Sequence, residues 1–396
     1  MWYRDLYFFA GEEGFLPGSL CVEQGVIVKI LREDKNENKK SLSGDHPVQF
    51  GSIGGSEDGE CIDLGGAYVI PGLIDIHVHG AAGEDFSDGS EEGLAHMAEY
   101  LARNGITGFR PTSMTLSYEQ LEKAFRTAVR VSREEREGQA RILGIHMEGP
   151  YLSNEKCGAQ NTAWLRSPDI REFRKLQEAA EGMIKIADVA PELFGAAEFA
   201  KEVSQTCRVS AAHTDAAYEQ AKAFYEAGAR HLTHLYNGMS QIHHRHPGVI
   251  GAASERPDVM AELISDGYHS HPSAVRMAFR LFPERICLIS DALRCCGMPD
   301  GPYEMGGQTA WLKDGVARLS SGTIAGAASN LYQDMRNAIA FGIPKVQAIQ
   351  AATIGPARAI GRDDRIGSLE EGKYADFVIC SEDLTLQRVV LRGRCL

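Results

Sequence analysis

Strand-like and helix-like segments alternate through the middle of this chain, and that alternation limits the fold more than any other feature. Helical patterns, such as those at Tyr118–Glu135, Ala196–Val203 and Ala217–Ala227, separate short apolar runs that have the length of buried strands. Eight β-α units make up a closed (β/α)8 barrel, so we predict an α/β fold with a TIM-like barrel. The eight runs are Leu73–Ile76, Ile106–Phe109, Ile142–His146, Ile184–Ala187, Val209–Ala212, His231–Thr233, Ala261–Ile264 and Ile286–Ile289.

A doubly wound open sheet is the main structural alternative to the barrel. Such a sheet normally carries a glycine-rich phosphate loop after its first strand. Here the first apolar run leads into His77-Val78-His79 instead, which favours the barrel. After the eighth run we predict a polar hairpin at Tyr303–Leu319. Three helical stretches follow, at Asn330–Phe341, Pro344–Ala352 and Pro356–Ile360.

The two chain ends predict a second, smaller domain. The 396 residues exceed the roughly 250 of one typical barrel. Short β-like pieces occur at both ends, so we predict a small β-sandwich domain formed from residues 1–66 and 366–396, with the barrel at 67–365. The polar stretch Arg32–Glu60 has the composition of a solvated loop.

The net charge of -13 argues against a nucleic-acid partner and against an anionic membrane surface. No apolar run is long enough to span a bilayer, and residues 1–15 lack the core of a signal peptide. The nine cysteines are odd in number and mostly scattered singly, as in a protein with reduced thiols. We therefore expect a cytoplasmic protein.

Potential metal ligands follow the predicted strands. His77 and His79 alternate, so both imidazoles face one side of a strand. Glu148 comes after the run Ile142–His146, where we expect Gly149-Pro150 to stop the strand. A carboxylate there is costly unless a positive group pairs with it. With His213 and His234, these residues predict a site for one or two divalent ions, and imidazole suits Zn, Fe, Mn or Co.

Asp291 follows the eighth run and is the candidate catalytic residue. A bound divalent ion lowers the pKa of water from 15.7 to about 7, which makes hydroxide available at neutral pH. A neighbouring carboxylate can take a proton and pass it to a leaving group, as a general base and acid. Glu148 suits a ligand role better than this one. Two further positions stay open: His269 as a loop or site histidine, and Arg245 in a solvated turn or an anion-binding loop.

These motifs together resemble the N-acetylglucosamine-6-phosphate deacetylase family of the amidohydrolase superfamily. The resemblance covers nearly the whole chain. The His146–Leu152 and His234–Met239 blocks are specific for the family, whereas the first His-x-His and the final Asp are superfamily-wide. The blocks that carry it are Pro71–Gly80, His146–Leu152, Gly158-Ala159, His213–Asp215, His234–Met239, Ser290–Ala292 and Gly322–Gly326.

The resemblance implies hydrolysis of the acetamide of N-acetyl-D-glucosamine 6-phosphate, giving D-glucosamine 6-phosphate and acetate. It implies that Glu148, His213 and His234 hold the main metal ion and that Asp291 is the acid/base. It also implies a homodimer in which Arg245 reaches the phosphate in the neighbouring subunit's site. The residues expected to line the sugar are Ala159, Gln160, Asn237, Gly238, His269, Ile324, Ala325, Gly326 and Ala327.

This chain departs from the family pattern at a few positions. The first His-x-His, absent from some members, permits a second ion. Gln160 replaces a commoner His and cannot titrate, and Gly238 replaces a commoner Ala. Two other functions remain open. A cyclic-amide hydrolase of the dihydroorotase type typically uses a carboxylated Lys where this chain has Glu148, and a metal-binding sugar sensor has no use for Asp291.

Overall fold

The computed structural model describes residues 1–33, 54–56, 59–134 and 136–396. Most of the predicted polar loop Arg32–Glu60 therefore lies outside the described residues. Within the described ranges, no helix combines the length and the apolar character needed to cross a membrane.

Eight consecutive parallel strands form the centre of the fold and confirm the predicted barrel. Each strand pairs with its neighbours in chain order, and a two-residue strand, Arg141–Ile142, also pairs with the second one. The barrel strands are Leu73–Val78, Ile106–Ser113, Ile145–Tyr151, Ile184–Val189, Arg208–Ala211, His231–Leu232, Met260–Ile264 and Ile286–Ile289.

The end of the eighth strand meets the first strand and closes the barrel. The backbone N–H of Asp291 donates to the carbonyl of His77 at 3.0 Å, and that of His79 donates to the carbonyl of Ala292 at 2.9 Å. These bonds place the first and eighth barrel strands side by side, whereas the edge strands of an open doubly wound sheet stay apart.

Helices follow the strands as the sequence pattern predicts. Ser117 begins the second helix with a capping box, because its hydroxyl accepts from the N–H of Gln120 while the Gln120 side chain accepts from the N–H of Ser117. The helices are Glu91–Arg103, Tyr118–Arg133, Ile170–Ala179, Ala196–Val203, Tyr218–Ala227, Gly248–Ser254, Pro272–Leu281, Leu331–Ala340, Lys345–Ala352 and Ile354–Ala359.

The third barrel strand differs from its prediction. The expected strand Ile142–His146 is interrupted after Ile142, resumes at Ile145 and continues to Tyr151, so Gly149-Pro150 does not end it. Proline cannot donate to the ladder. The strand therefore shifts register after Met147 and pairs again where Tyr151 lies opposite Val189. Glu148 lies inside this irregular part of the strand rather than beyond it.

Both chain ends pair in one β unit, as predicted. The strands form a single hydrogen-bonded sheet with its own hydrophobic core, in which Phe8, Leu20 and Phe377 are buried. The sequence-distant halves meet where Phe377–Cys380 runs antiparallel to Gly59–Pro71. The division at residues 66/67 and 365/366 stays a prediction. The strands are Trp2–Phe9, Phe15–Glu23, Val26–Arg32, Gly54–Ser56, Gly59–Pro71, Phe377–Cys380, Leu386–Leu391 and Arg394–Cys395.

The predicted hairpin after the eighth barrel strand is part of a larger antiparallel sheet. Its four strands are Gly301–Met305, Gln308–Lys313, Val316–Leu319 and Ile324–Ala327. The last of them returns to the barrel, where the N–H of Ala327 donates to the carbonyl of Asp291 at 2.9 Å. This insertion therefore forms part of the wall beside Asp291.

Candidate metal centre and active site

The carboxylate of Glu148 is the centre of a buried cluster at the carboxyl ends of the barrel strands. Its Oε1 lies 3.0 Å from His213 Nε2 and 3.0 Å from His234 Nε2. These two Nε2 atoms are 3.1 Å apart. Side chains from the third, fifth and sixth strands thus converge on one point, because parallel strands in a barrel deliver their ends to the same face.

The first His-x-His completes the cluster from the opposite side. Oε2 of Glu148 lies 3.1 Å from His79 Nε2 and 3.8 Å from His77 Nε2. Asp291 Oδ1 lies 3.2 Å from His79 Nε2 and 3.4 Å from His77 Nε2. Glu148 therefore stands between the two histidine pairs, with Asp291 on the His77 and His79 side.

The outer ring nitrogen of each histidine faces a hydrogen-bond acceptor. His79 Nδ1 lies 3.1 Å from the carbonyl of Thr112, and His77 Nδ1 lies 2.9 Å from Glu262 Oε2. The Nδ1 atoms of His213 and His234 face the carbonyls of Lys156 at 2.8 Å and Asn237 at 3.1 Å. An Nδ1–H that donates outward leaves the Nε2 lone pair directed inward, which is the tautomer a metal ligand requires.

This donor set fits a divalent metal ion. Several inward-facing Nε2 lone pairs and two carboxylates meet in a buried space, and such groups repel one another unless a cation or protons lie between them. Two sets could each hold an ion at this mouth: Glu148 with His213 and His234, and Glu148 with His77 and His79. Both sets share Glu148, whose two oxygens face different pairs.

The same contacts shift the pKa values of the cluster. Burial favours the neutral form of Glu148, but hydrogen bonds from His213 and His234 outweigh it and hold the pKa of Glu148 well below its usual range. Burial likewise opposes charge on His79, yet its hydrogen bonds to Asp291 and Glu148 raise its pKa to about 10. A proton on these imidazoles occupies the lone pair that an ion needs, so protons and metal compete for the cluster.

Three residues of the cluster have left-handed backbone conformations. The φ angles are 41° at His213, 28° at His234 and 52° at Asp291. Such angles cost of order 1–3 kcal/mol each in residues other than glycine, and they are concentrated at functional sites. The surrounding barrel holds these three backbones in their strained conformations. The strain therefore favours a functional role for the side chains of His213, His234 and Asp291.

Comparison with known proteins agrees with this geometry, since residues 68–396 match the Amidohydrolase family. The chain belongs to the amidohydrolase family. It is 36% identical over 345 residues to an N-acetylglucosamine-6-phosphate deacetylase of Vibrio furnissii, covering 87% of this chain and 86% of the relative. It is 35% identical over 326 residues to an N-acetylgalactosamine-6-phosphate deacetylase of Escherichia coli O157:H7, covering 82% and 86%.

The fold agrees as well. A crystal structure of N-acetylglucosamine-6-phosphate deacetylase from Pasteurella multocida matches this amidohydrolase with a TM-score of 0.88 at 28% identity. The match covers 100% of this chain and 99% of that one. These similarities confirm the resemblance that the sequence motifs predict.

Gln160 stands where the family more commonly has His. In this amidohydrolase it contacts Glu148, at the centre of the cluster of candidate metal ligands. Its Nε2 donates to Glu148 Oε2 at 2.7 Å, and its Oε1 accepts from the N–H of Thr115 at 2.8 Å. The Thr115 bond fixes which end of the amide faces Glu148. Gln160 therefore orients the carboxylate with a neutral donor.

The other residues predicted to line the sugar have different surroundings. His269 Nδ1 lies 2.7 Å from Asp266 Oδ2; burial opposes its charge, but this pairing raises the pKa of His269. At Gly238, where φ is 60°, a Cβ would lie 2.7 Å from His213 Nδ1, so glycine lets this loop pack on the imidazole. Ala159 is buried, and its carbonyl accepts from Gln308 at 2.8 Å. Asn237 contributes the carbonyl that faces His234.

Arg245 is not part of the cluster within this chain. Its side chain is exposed, and its contacts are with its neighbours in sequence: Nη1 lies 2.8 Å from His244 Nε2. The resemblance predicts that Arg245 binds the substrate's phosphate in a neighbouring subunit's site. That role stays a prediction.

Sequence reasoning missed a second layer of buried polar residues below the cluster. Glu262 lies 2.9 Å from His77 Nδ1 and 3.0 Å from His231 Nε2, and it accepts from the N–H of His234 at 3.3 Å. His146 Nε2 lies 3.0 Å from Asp188 Oδ1 beside it. Two carboxylates in the sequence point to this layer: Glu262 inside the apolar run Ala261–Ile264, and Asp188 directly after the run Ile184–Ala187.

Proposed function

We propose that this amidohydrolase removes the acetyl group from N-acetyl-D-glucosamine 6-phosphate, giving D-glucosamine 6-phosphate and acetate in amino-sugar catabolism. The observation that carries the proposal is the convergence of Glu148, His213 and His234 on one point with Asp291 beside them. The names of the relatives support the substrate. A glutamate rather than a lysine among these ligands weighs against a dihydroorotase-type reaction.

Glu148, His213 and His234 would hold the principal divalent ion, and His77 and His79 offer a second position that shares Glu148. Imidazole and carboxylate donors suit Zn, Fe, Mn or Co. Such an ion polarises a carbonyl oxygen and lowers the pKa of water. The protein's own groups set its place, since the carbonyls of Lys156 and Asn237 orient the two histidines that face Glu148 Oε1.

Asp291 is the group that moves the proton. Burial favours its neutral form, but the hydrogen bond from His79 and the nearby histidine charges outweigh it and lower the pKa of Asp291, so the carboxylate is ionised and can accept a proton. Asp291 takes a proton from the water that attacks the acetamide carbonyl. It then gives that proton to the nitrogen as the C–N bond breaks, so that the amine leaves; the remaining proton of the acetic acid passes to the amine, giving acetate and the ammonium form of the sugar.

The sugar would lie between the barrel mouth and the returning strand Ile324–Ala327. Ala159, Gln160, Asn237, Gly238 and His269 would line the other sides. The phosphate would meet Arg245 of a second subunit, because a guanidinium fork matches phosphate oxygens. This arrangement requires a homodimer, and we propose that the enzyme acts in the cytoplasm.

Acetate release by the purified protein tests this function. We expect hydrolysis of N-acetylglucosamine 6-phosphate, loss of activity after extended chelation, and recovery when a divalent transition metal is added. The Escherichia coli relative makes the galacto epimer the second substrate to compare. Full activity in a sample verified to be metal-free would exclude the metal-dependent mechanism, and release from neither epimer would exclude the substrate.

A further inference from the structure

A small pocket lined by arginines lies at the end of the barrel opposite to the metal cluster. Its volume is about 160 Å³. It opens between the start of the third barrel strand, the loop after helix Ile354–Ala359, and the small β unit. The guanidinium-bearing residues in its wall are Arg136, Arg141, Arg362, Arg365 and Arg392.

The pocket is cationic in a chain of net charge -13. No Asp or Glu lines it among the described residues. Arg141 is paired with Asp376 at 3.0 Å, and Arg136 is paired with Glu134. Arg362 and Arg365 are exposed, and their guanidinium groups have no hydrogen bond or ion pair with any residue that the structure describes. Two charges are therefore left to face an external anion.

Aromatic stacking fixes part of this wall. Arg141 and Arg365 lie over the ring of Tyr374, with guanidinium carbons 4.4 Å and 5.1 Å from its centre. Stacked guanidinium groups lose little further freedom when they bind an oxyanion, so the wall is partly preorganised.

A further guanidinium lies behind the wall. Arg110 is 2% exposed, donates from Nε to the carbonyl of Leu143 at 3.1 Å, and has a buried Nη1 with no hydrogen-bond partner in the described part of the chain. Burial lowers the pKa of Arg110 to about 9, and the charges of Arg208 and Arg362 contribute to that shift. Arg110 therefore adds a buried positive charge beside Leu143, which lines the pocket.

We propose that this pocket binds a phosphate-type dianion, either free phosphate or the phosphate of a small monoester, at a site separate from the metal centre. Paired guanidinium donors match the geometry of phosphate oxygens. The volume is below the 300–1,000 Å³ of pockets for drug-sized ligands, so it admits the anionic group rather than a large ligand. Because the wall comes from the barrel and from the β unit, the bound anion links the two.

Phosphate titration of the full-length protein tests this site. In an Arg245→Gln background, which weakens the proposed phosphate site at the active centre, we expect inorganic phosphate at constant ionic strength to raise the melting temperature and to broaden its ³¹P signal. Adding Arg362→Gln and Arg365→Gln should weaken this binding at least about tenfold, because charge-assisted hydrogen bonds are lost. In a chain that keeps Arg245, Arg362→Gln with Arg365→Gln should leave basal deacetylation unchanged.

The matched control is Arg171→Gln with Arg280→Gln, which removes two exposed arginines outside the pocket and should leave binding intact. Arg362→Lys with Arg365→Lys keeps the charge and should retain weak phosphate binding. This second variant tests the pocket if Arg362→Gln with Arg365→Gln does not fold. The affinities for glycerol phosphate and inorganic phosphate distinguish the two ligands. Tighter binding of glycerol phosphate would indicate a site for a monoester, and tighter binding of inorganic phosphate a site for the free ion. Equal phosphate binding by the 362/365 glutamine variant and the 171/280 control would overturn the proposal, as would absence of binding in the parent.

Discussion

At the scale of single residues, we propose that Asp291 carries the chemical step, and its substitution separates proton transfer from metal binding. Asp291→Asn keeps the shape but cannot accept the proton. General acid–base catalysis contributes roughly 10²–10⁴-fold, so kcat should fall by about that factor. Metal content should stay near that of the parent, because Glu148, His213 and His234 are unchanged.

Acetate release and metal analysis on the same preparation check this expectation. Asp364→Asn, which changes an exposed aspartate, is the matched control. A near-normal kcat in the Asp291 variant would exclude the acid/base role, whereas loss of both activity and metal would make Asp291 a ligand.

Glu148 gives the complementary result at the same scale. Glu148→Gln replaces a charged ligand with a neutral one that binds metal poorly, and Glu148 is the residue that both histidine pairs face. We expect loss of metal together with loss of rate, measured by elemental analysis and acetate release. Retention of a full metal complement would show that the histidines bind the ion without this carboxylate.

At the scale of elements, Glu262 on the seventh strand positions the first and sixth strands against each other. It contacts the ring of His77, in the first strand, and the N–H of His234, in the turn that follows the sixth strand. Loss of such an outer partner typically costs 10–100-fold in metal affinity or activity. We expect Glu262→Gln to weaken metal binding within that range, measured by competition with a chelator.

Glu219→Gln, on an exposed helix position, is the control for this substitution. The electronic spectrum of the Co-substituted protein adds a readout that general destabilisation does not change, because it reports the geometry around the ion. An unchanged spectrum and unchanged affinity would mean that Glu262 only fills the barrel interior.

Glu148 and Glu262 show how much of the fold and of the candidate site could be predicted from the sequence. The barrel was predictable, and so was the gathering of polar side chains at one end of it, because polar side chains interrupt apolar runs where buried strands meet solvent. Glu262 lies 185 positions from His77, and only closure of the barrel brings them together. The Nδ1 acceptors of His79, His213 and His234 are backbone carbonyls, whose places no side-chain pattern records. A strand pattern also does not show the register shift with which the third strand continues through Gly149-Pro150 to Tyr151.

At the scale of the whole molecule, the proposed role of Arg245 raises the question whether one chain forms a complete active site. It lies in an exposed, cationic loop whose contacts stay within His243 and His244. Each charge-assisted hydrogen bond to a phosphate contributes about 1.5–3 kcal/mol, so Arg245→Ala should weaken use of the 6-phosphate substrate strongly. The sugar without phosphate should be hydrolysed almost as well as by the parent. Equal losses on both substrates would remove Arg245 from the phosphate site.

Mixed dimers test whether this arginine acts across a subunit interface. Arg245→Ala chains keep Asp291 but lack the phosphate ligand, and Asp291→Asn chains have the reverse defect. If the loop reaches the partner, a mixed dimer contains one site with both intact groups. Random mixing should then restore roughly a quarter of the parent activity, since half of the dimers are mixed and each has one complete site. Acetate release by the unfractionated mixture measures this recovery, and affinity-purified mixed dimers should reach about half of the parent activity, because one of their two sites is complete. No recovery in verified mixed dimers would mean that Arg245 acts within its own chain, because only then does every site contain one defect.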